Sequence, residues 1–188
     1  MTTTDGLLTV RDLSLRPLAV ADELEAARAH DELAADGFTF LLGPFGEVPW
    51  PRYVAALERQ RHGQDLPDGF VPSTFLVADV GGLLVGRASI RHELNDWLLG
   101  WGGHIGYAVR PAFRRRGLAT AILRRSVDVV AGLGVDRVLV TCDQGNAASA
   151  AVIERCGGVL ENVLDDPAGG APKCRYWITP RGPDPSRR

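Results

Sequence analysis

Arg114-Arg115-Arg116-Gly117-Leu118-Ala119-Thr120 lies between a strand-like segment, His104–Val109, and an amphipathic run that reaches Leu133. It places a turn of small residues at a helix start, just where a strand ends. The first-turn N–H groups of a helix have no intrahelical acceptor, and the positive end of the helix dipole, about half an elementary charge, points the same way. Gly117 and Ala119 have almost no side chain to keep a ligand away from that backbone. Three arginines add charge at the same spot. The stretch reads as an anion cradle, most simply for a phosphate or pyrophosphate.

Downstream, Leu118, Ile122, Val129, Val130 and Leu133 recur at near-helical spacing, while Arg124, Arg125 and Asp128 can face water. Arg137–Cys142 reads as a short buried strand. Asn146 to Cys156 reads as a helix, with Asn146 as N-cap and Gly157-Gly158 as its end. Strands follow over Val159–Leu164 and Cys174–Thr179, with a turn at Pro167–Pro172. Upstream, Thr74–Val80 and Leu83–His92 flank Gly81-Gly82, a hairpin turn. Further back lie a strand at Leu13–Leu18, a helix over Ala21–Ala35 stopped by Gly37, and a helix over Arg52–Arg61. Phe38, Phe40, Phe45, Trp50 and Tyr53 mark an aromatic loop before that second helix, and His62–Pro72 reads as a loop after it. The order β-α-α-β-β-β-α-β-α-β-β predicts a mixed α/β sheet with helices on both sides.

With 188 residues the chain is long enough for one domain with a full core, expected over residues 1–180, followed by a frayed tail over 181–188. The formal charge of -2 and a pI near 6.1 set up no field that invites nucleic acid. Lys173 is the one lysine among 21 basic residues, a bias that reads as codon usage. No apolar run approaches the roughly 18 residues that span a bilayer, and the N-terminus lacks a signal-peptide pattern. Cys142, Cys156 and Cys174 are odd in number and not spaced as metal ligands or redox pairs. The expectation is a cytoplasmic protein with reduced thiols, no metal, no nucleic acid and no membrane partner.

No G-x-x-x-x-G-K-[ST] is present, and no G-x-G-x-x-G follows a strand. The pattern the chain does carry is Arg/Gln-x-x-Gly-x-Gly/Ala, as Arg114 to Ala119, with a strand before it, a helix after it, then a strand and an Asn-led helix. In that setting the segment resembles the acetyl-CoA motif of the GNAT superfamily of N-acyltransferases. The likeness runs from Leu13 to Thr179. Arg91-His92-Glu93-Leu94-Asn95-Asp96, Gly103-His104-Ile105-Gly106-Tyr107, Leu139-Val140-Thr141-Cys142-Asp143, Val152-Ile153-Glu154 through Asn162, and Arg175-Tyr176-Trp177-Ile178 resemble a group of bacterial predicted acetyltransferases without a settled acceptor. The resemblance implies a single-domain fold with a mixed, mostly antiparallel twisted sheet of about seven strands, flanked by helices, with a splayed central strand pair.

It also implies roles. Tyr107, Ala108 and Val109 would lie on the strand whose backbone pairs with the pantetheine arm. Arg115, Arg116, Gly117, Leu118, Ala119 and Thr120, with Arg114 beside them, would hold the pyrophosphate. Asn146 would bond near the pantetheine, where a plain helix cap is the other reading, and Ser149 would approach the thioester sulfur. Acetyl transfer to an amine needs the neutral amine, about one part in a thousand of an alkylammonium near pH 7. A base, direct or through water, helps by about 10²–10⁴-fold. His104 and Asp143 are the candidates, with Glu161 and Asn95 as further polar groups. The Val109 backbone is a candidate oxyanion donor. Many superfamily members place a Tyr seven residues after the helix-leading Asn as the acid. Here that position is Ile153, which leaves Ser149, Cys142, Tyr107, Tyr176 or water to protect the thiolate.

The aromatic loop falls where this fold builds its acceptor wall, and packing of the first two helices is its other reading. The expected activity is transfer from acetyl-CoA to a primary amine of a small molecule or peptide by direct attack in a ternary complex. A non-catalytic acyl-CoA-binding or sensing module, an RNA-associated protein and transfer of a longer acyl chain are the alternatives. A homodimer is left open, since no segment marks an interface.

Overall fold

The computed structural model describes residues 10–43, 45–166 and 168–180, and the tail expected over 181–188 lies outside them. Among the described residues the elements are β1 (Leu13–Pro17), α1 (Glu23–Ala34), α2 (Trp50–Arg61), β2 (Ser73–Val80), β3 (Leu83–Arg91), β4 (Ile105–Val109), α3 (Leu118–Gly132), β5 (Val138–Asp143), α4 (Ala147–Arg155), β6 (Val159–Leu164) and β7 (Lys173–Ile178). The order is the one the sequence predicts. The helix expected from Arg52 begins two residues earlier at Trp50, because Pro51 fits a first helical turn, where its missing N–H leaves no bond unmade. A π-helical turn, Leu98–Gly102, stands between β3 and β4 where no element was expected.

The strands form two antiparallel sheets, one ordered β1-β2-β3-β4 and the other β5-β7-β6. Gly81 and Gly82, at φ 61° and 88°, supply the two left-handed residues of the β2–β3 hairpin. β2 and β3 are buried on both faces and mainly apolar, with Thr74, Asp79, Arg87 and Ser89 as buried polar exceptions. Ala26, Ala29 and Leu33 of α1 pack with Phe40, Trp50, Tyr53, Phe75, Val77 and Leu84 on one face of the first sheet. On the other face Leu118, Ile122 and Val130 of α3 and Ile153 of α4 share one core with Ala88 and Ile90 of the first sheet and Val138, Val140 and Tyr176 of the second. That core makes one body of the two sheets.

Direct contact between the sheets is made at His104, just before β4. Its N–H donates to the Leu139 carbonyl at 2.8 Å, and the Leu139 N–H donates to its Nδ1 at 2.9 Å. Beyond this joint no ladder connects β4 to β5, and the two strands part. This is the splayed pair. No helix among the described residues is long and apolar enough to cross a membrane.

Candidate active site

Backbone parity decides what β4 offers to the split. The His104 carbonyl accepts from Arg91, Arg110 donates to Val85, and the Ala108 carbonyl crowds Gly86, so the even-numbered residues spend their backbone on β3. Alternation along a strand then turns the N–H and C=O groups of Tyr107 and the N–H of Val109 towards the open side. The Val109 carbonyl is taken by Arg114 Nε at 3.1 Å.

The turn at the end of β4 continues this open edge. After the 3-10 turn Pro111–Phe113, Arg115 at φ 65° and Gly117 at φ 77° both take the left-handed conformation, an arrangement that costs a non-glycine residue on the order of 1 kcal/mol and tends to occur at functional sites. Ala121 is the first residue of α3 whose N–H finds a helical acceptor, the Gly117 carbonyl at 3.1 Å, which leaves those of Leu118, Ala119 and Thr120 at the helix mouth. The Leu118 side chain is buried in the core and fixes the helix start. Arg115 and Arg116 are exposed, whereas Arg114 turns away and pairs with Asp36 at 2.7 Å.

Across the split, Asn146 caps α4 by accepting the Ser149 N–H on Oδ1 at 3.0 Å. The Ser149 hydroxyl lies 3.0 Å from the Tyr107 hydroxyl, so a side chain from β4 and one from α4 meet where the two sheets part. Burial pushes the Tyr107 phenol up to about 12 and the neighbouring Cys142 thiol up to about 11, so both stay protonated near neutral pH. Ile153 is fully buried in the core. Tyr107 puts a phenol beside Ser149 from the opposite strand, a contact that sequence spacing within α4 could not disclose.

His104 is 5% exposed, with its Nδ1 occupied by Leu139. Burial first, and then the charge of Arg91, pull its pKa down to about 4. A neutral ring accepting on Nδ1 carries its proton on Nε2. The imidazole ties the sheets together. Asp143, at the end of β5, forms an ion pair with Lys173 directly opposite on β7. Glu161 pairs with Arg175 at 2.6 Å, Asn95 caps the π-helical turn through Leu98 N–H, and Tyr176 is core. Of the aromatic loop, Phe40, Trp50 and Tyr53 are core, with Trp50 and Tyr53 stacked at 5.5 Å. Phe38 instead lies 4.9 Å from the guanidinium of Arg87 on β3. That arginine and Arg91, at alternate positions of β3 with Ser89 between them, were given no role by the sequence.

A sequence model of the acetyltransferase (GNAT) domain matches residues 12–159. No curated protein matches the sequence. Among solved structures, yncA from Salmonella typhimurium, determined with its cofactor acetyl-CoA, is 19% identical over 92% of this chain and 96% of its own, with a TM-score of 0.61. RimJ of Mycobacterium smegmatis, in complex with CoA-disulfide, is 23% identical over 89% of this chain and 81% of its own, at 0.64. The microcin C7 self-immunity acetyltransferase MccE, in complex with acetyl-CoA and AMP, is 16% identical over 89% and 92%, at 0.65. At these identities the likeness is one of fold.

Proposed function

The chain belongs to the GNAT acetyltransferase domain family, and on that premise we propose that it transfers an acetyl group from acetyl-CoA to a primary amine of a small molecule or peptide, both bound at once. The observation that carries this reading is the continuous open edge of main chain from Tyr107 and Val109 to the N–H groups of residues 115–120. An extended amide-bearing arm suits the first part and a pyrophosphate the second. Acetyl-CoA or CoA in the structures of yncA, MccE and RimJ supports the same ligand here. Three free thiols suit a cytoplasmic setting.

The residues then divide the work. Arg114 positions the edge by holding the Val109 carbonyl and Asp36. Asn146 fixes the start of α4, which sets the Ser149 hydroxyl at the split. As the amine nitrogen attacks the thioester carbon, the Val109 N–H bonds the developing oxyanion. The C–S bond breaks and the thiolate accepts a hydrogen bond from Ser149, whose hydroxyl is backed by Tyr107; its proton comes from water relayed through that hydroxyl, so the serine ends the step neutral. The amine surrenders its proton through water to Asp143, the carboxylate at the open end of β5. His104 serves the reaction by holding β4 and β5 together at their base.

Acetyl-CoA-dependent thiol release, measured with a panel of amines, tests the activity; tight acetyl-CoA binding with no release on any acceptor would favour the sensing module. Gly117→Glu tests the site. It puts bulk and negative charge at a residue with φ 77°, and acetyl-CoA affinity should fall by roughly a hundredfold or more. Near-normal affinity refutes the assignment.

A further inference from the structure

Arg87, Ser89 and Arg91 alternate along β3, so their side chains share the face that looks towards α1 and α2. Both guanidinium groups converge over Gly106 of β4. A Cβ placed on that glycine would stand 3.2 Å from Nη1 of Arg91 and 3.7 Å from Nη1 of Arg87. Gly106 itself is half-buried, so the space above it is reachable.

Three arginines are buried among the described residues. Arg110 holds Glu25 and Glu32, and Arg175 holds Glu161. Arg87, 5% exposed, holds no carboxylate among the described residues. It donates to the main-chain carbonyls of Thr39 at 3.0 Å and Gly106 at 3.4 Å, and its Nε is buried with no hydrogen-bond partner. Arg91, the second cation, likewise lacks a carboxylate among the described residues. A buried positive charge beside a half-buried one is repelled by it and loses hydration, an arrangement that is unfavourable until an anion joins them. Burial and mutual repulsion accordingly lower the pKa of Arg87 to about 10, and burial lowers that of Arg91.

The place matters as much as the charge. Gly106 precedes Tyr107, and the Tyr107 side chain reaches Ser149 on the α4 side of the sheet. The arginine pair occupies the opposite side of β4, towards α1 and α2, on the same strand as the Val109 N–H assigned to the acetyl oxygen and next to Tyr107. We propose that the acceptor is an amine carrying a carboxylate a few bonds from its nitrogen, and that Arg91 and Arg87 bind this carboxylate over Gly106. The assignment rests on the acetyl-transfer reading above and narrows its acceptor. The carboxylate supplies the missing counter-ion and turns the amine towards the thioester. Polycationic amines are excluded by the same two charges.

The test compares acceptors matched except for the anion: free amino acids against their carboxamides, and short peptides beginning with Asp or Glu against those beginning with Asn or Gln. Thiol release from acetyl-CoA is the readout. The carboxylate member of a pair should be preferred in kcat/KM on the order of tenfold or more, because an amide leaves the guanidinium groups unpaired. Preference among the free amino acids identifies an α-carboxylate as the source, and preference among the peptides an acidic side chain. Arg91→Met should raise KM for the preferred acceptor and bring the ratio close to one, while Arg91→Lys retains part of it. Gly106→Ala, which keeps both charges and fills the space between them, should act like Arg91→Met. Saturable acetyl-CoA binding by each variant verifies its fold. Equal use of acid and amide, a ratio unmoved by Arg91→Met and Gly106→Ala, or acetyl-CoA binding with no carboxylate accepted, each overturns the proposal. Failure of the wild-type protein to bind acetyl-CoA sinks the underlying reading instead.

Discussion

Tyr107 and Ser149 come from elements far apart in the chain and meet at 3.0 Å, so each can be removed without disturbing the turn that starts α3. Ser149→Ala should slow turnover by roughly ten- to a hundredfold with acetyl-CoA affinity unchanged, and Tyr107→Phe should slow it less, because the serine keeps its own proton. Pre-steady-state rates beside equilibrium binding would separate the two effects, and equal rates in wild type and Ser149→Ala would remove serine from the proton path. His104 makes a different prediction, about stability. Its folded pKa near 4 lies below the ordinary 6.5, so the unfolded chain binds the proton more readily. The stabilisation is present above about pH 6.5 and is lost as the pH falls towards 4, by on the order of 2 kcal/mol. Denaturant titrations at pH 7 and 4.5 should show that loss in the wild type and a smaller one in His104→Gln. The helix start at Gly117 and the Asn146 cap were legible in the sequence because each is a local fact. Tyr107, Arg87 and Arg91 were not legible as partners. Which face of a strand meets α4 or the α1–α2 loop is settled only by packing.

Elements carry information of the same two kinds. α3 could be read from its period and from Gly117 at its start, and the β2–β3 hairpin from its two glycines, since each feature lies within a few residues. The π-helical turn Leu98–Gly102 escaped notice because Asn95 and Thr141 help hold it, and Thr141, on β5, bonds the Trp101 carbonyl at 2.7 Å. The β3–β4 pair makes a sharper demand. Gly86 lies opposite Val109, and a Cβ there would collide with the Ala108 carbonyl and press on Ile122 of α3. Gly86→Ala should therefore cost about 2–3 kcal/mol in denaturant titration and weaken acetyl-CoA binding, because it displaces the strand edge that continues into the turn. An unchanged unfolding midpoint would mean that β4 yields at no cost.

At the scale of the whole molecule, the ionic link between α1 and the end of β4 runs through Arg110. Arg110, 6% exposed, bonds Glu32 through Nε and Nη2 at 2.8 and 2.6 Å, Glu25 at 2.5 Å and the Leu84 carbonyl at 2.7 Å. Arg110→Met strands two carboxylates and a carbonyl, and should cost about 1–3 kcal/mol, tempered by the partial exposure of both glutamates. The unfolding midpoint measures it, and a loss confined to α1 would appear as faster hydrogen exchange in that helix alone. The turn that starts α3, finally, offers a ligand peptide N–H groups rather than side chains. What the function asks for is a conformation, and Gly117, at φ 77°, is the residue most firmly committed to it. Side chains around it can change without altering that shape, and solved structures only 16–23% identical share the fold over about nine-tenths of this chain.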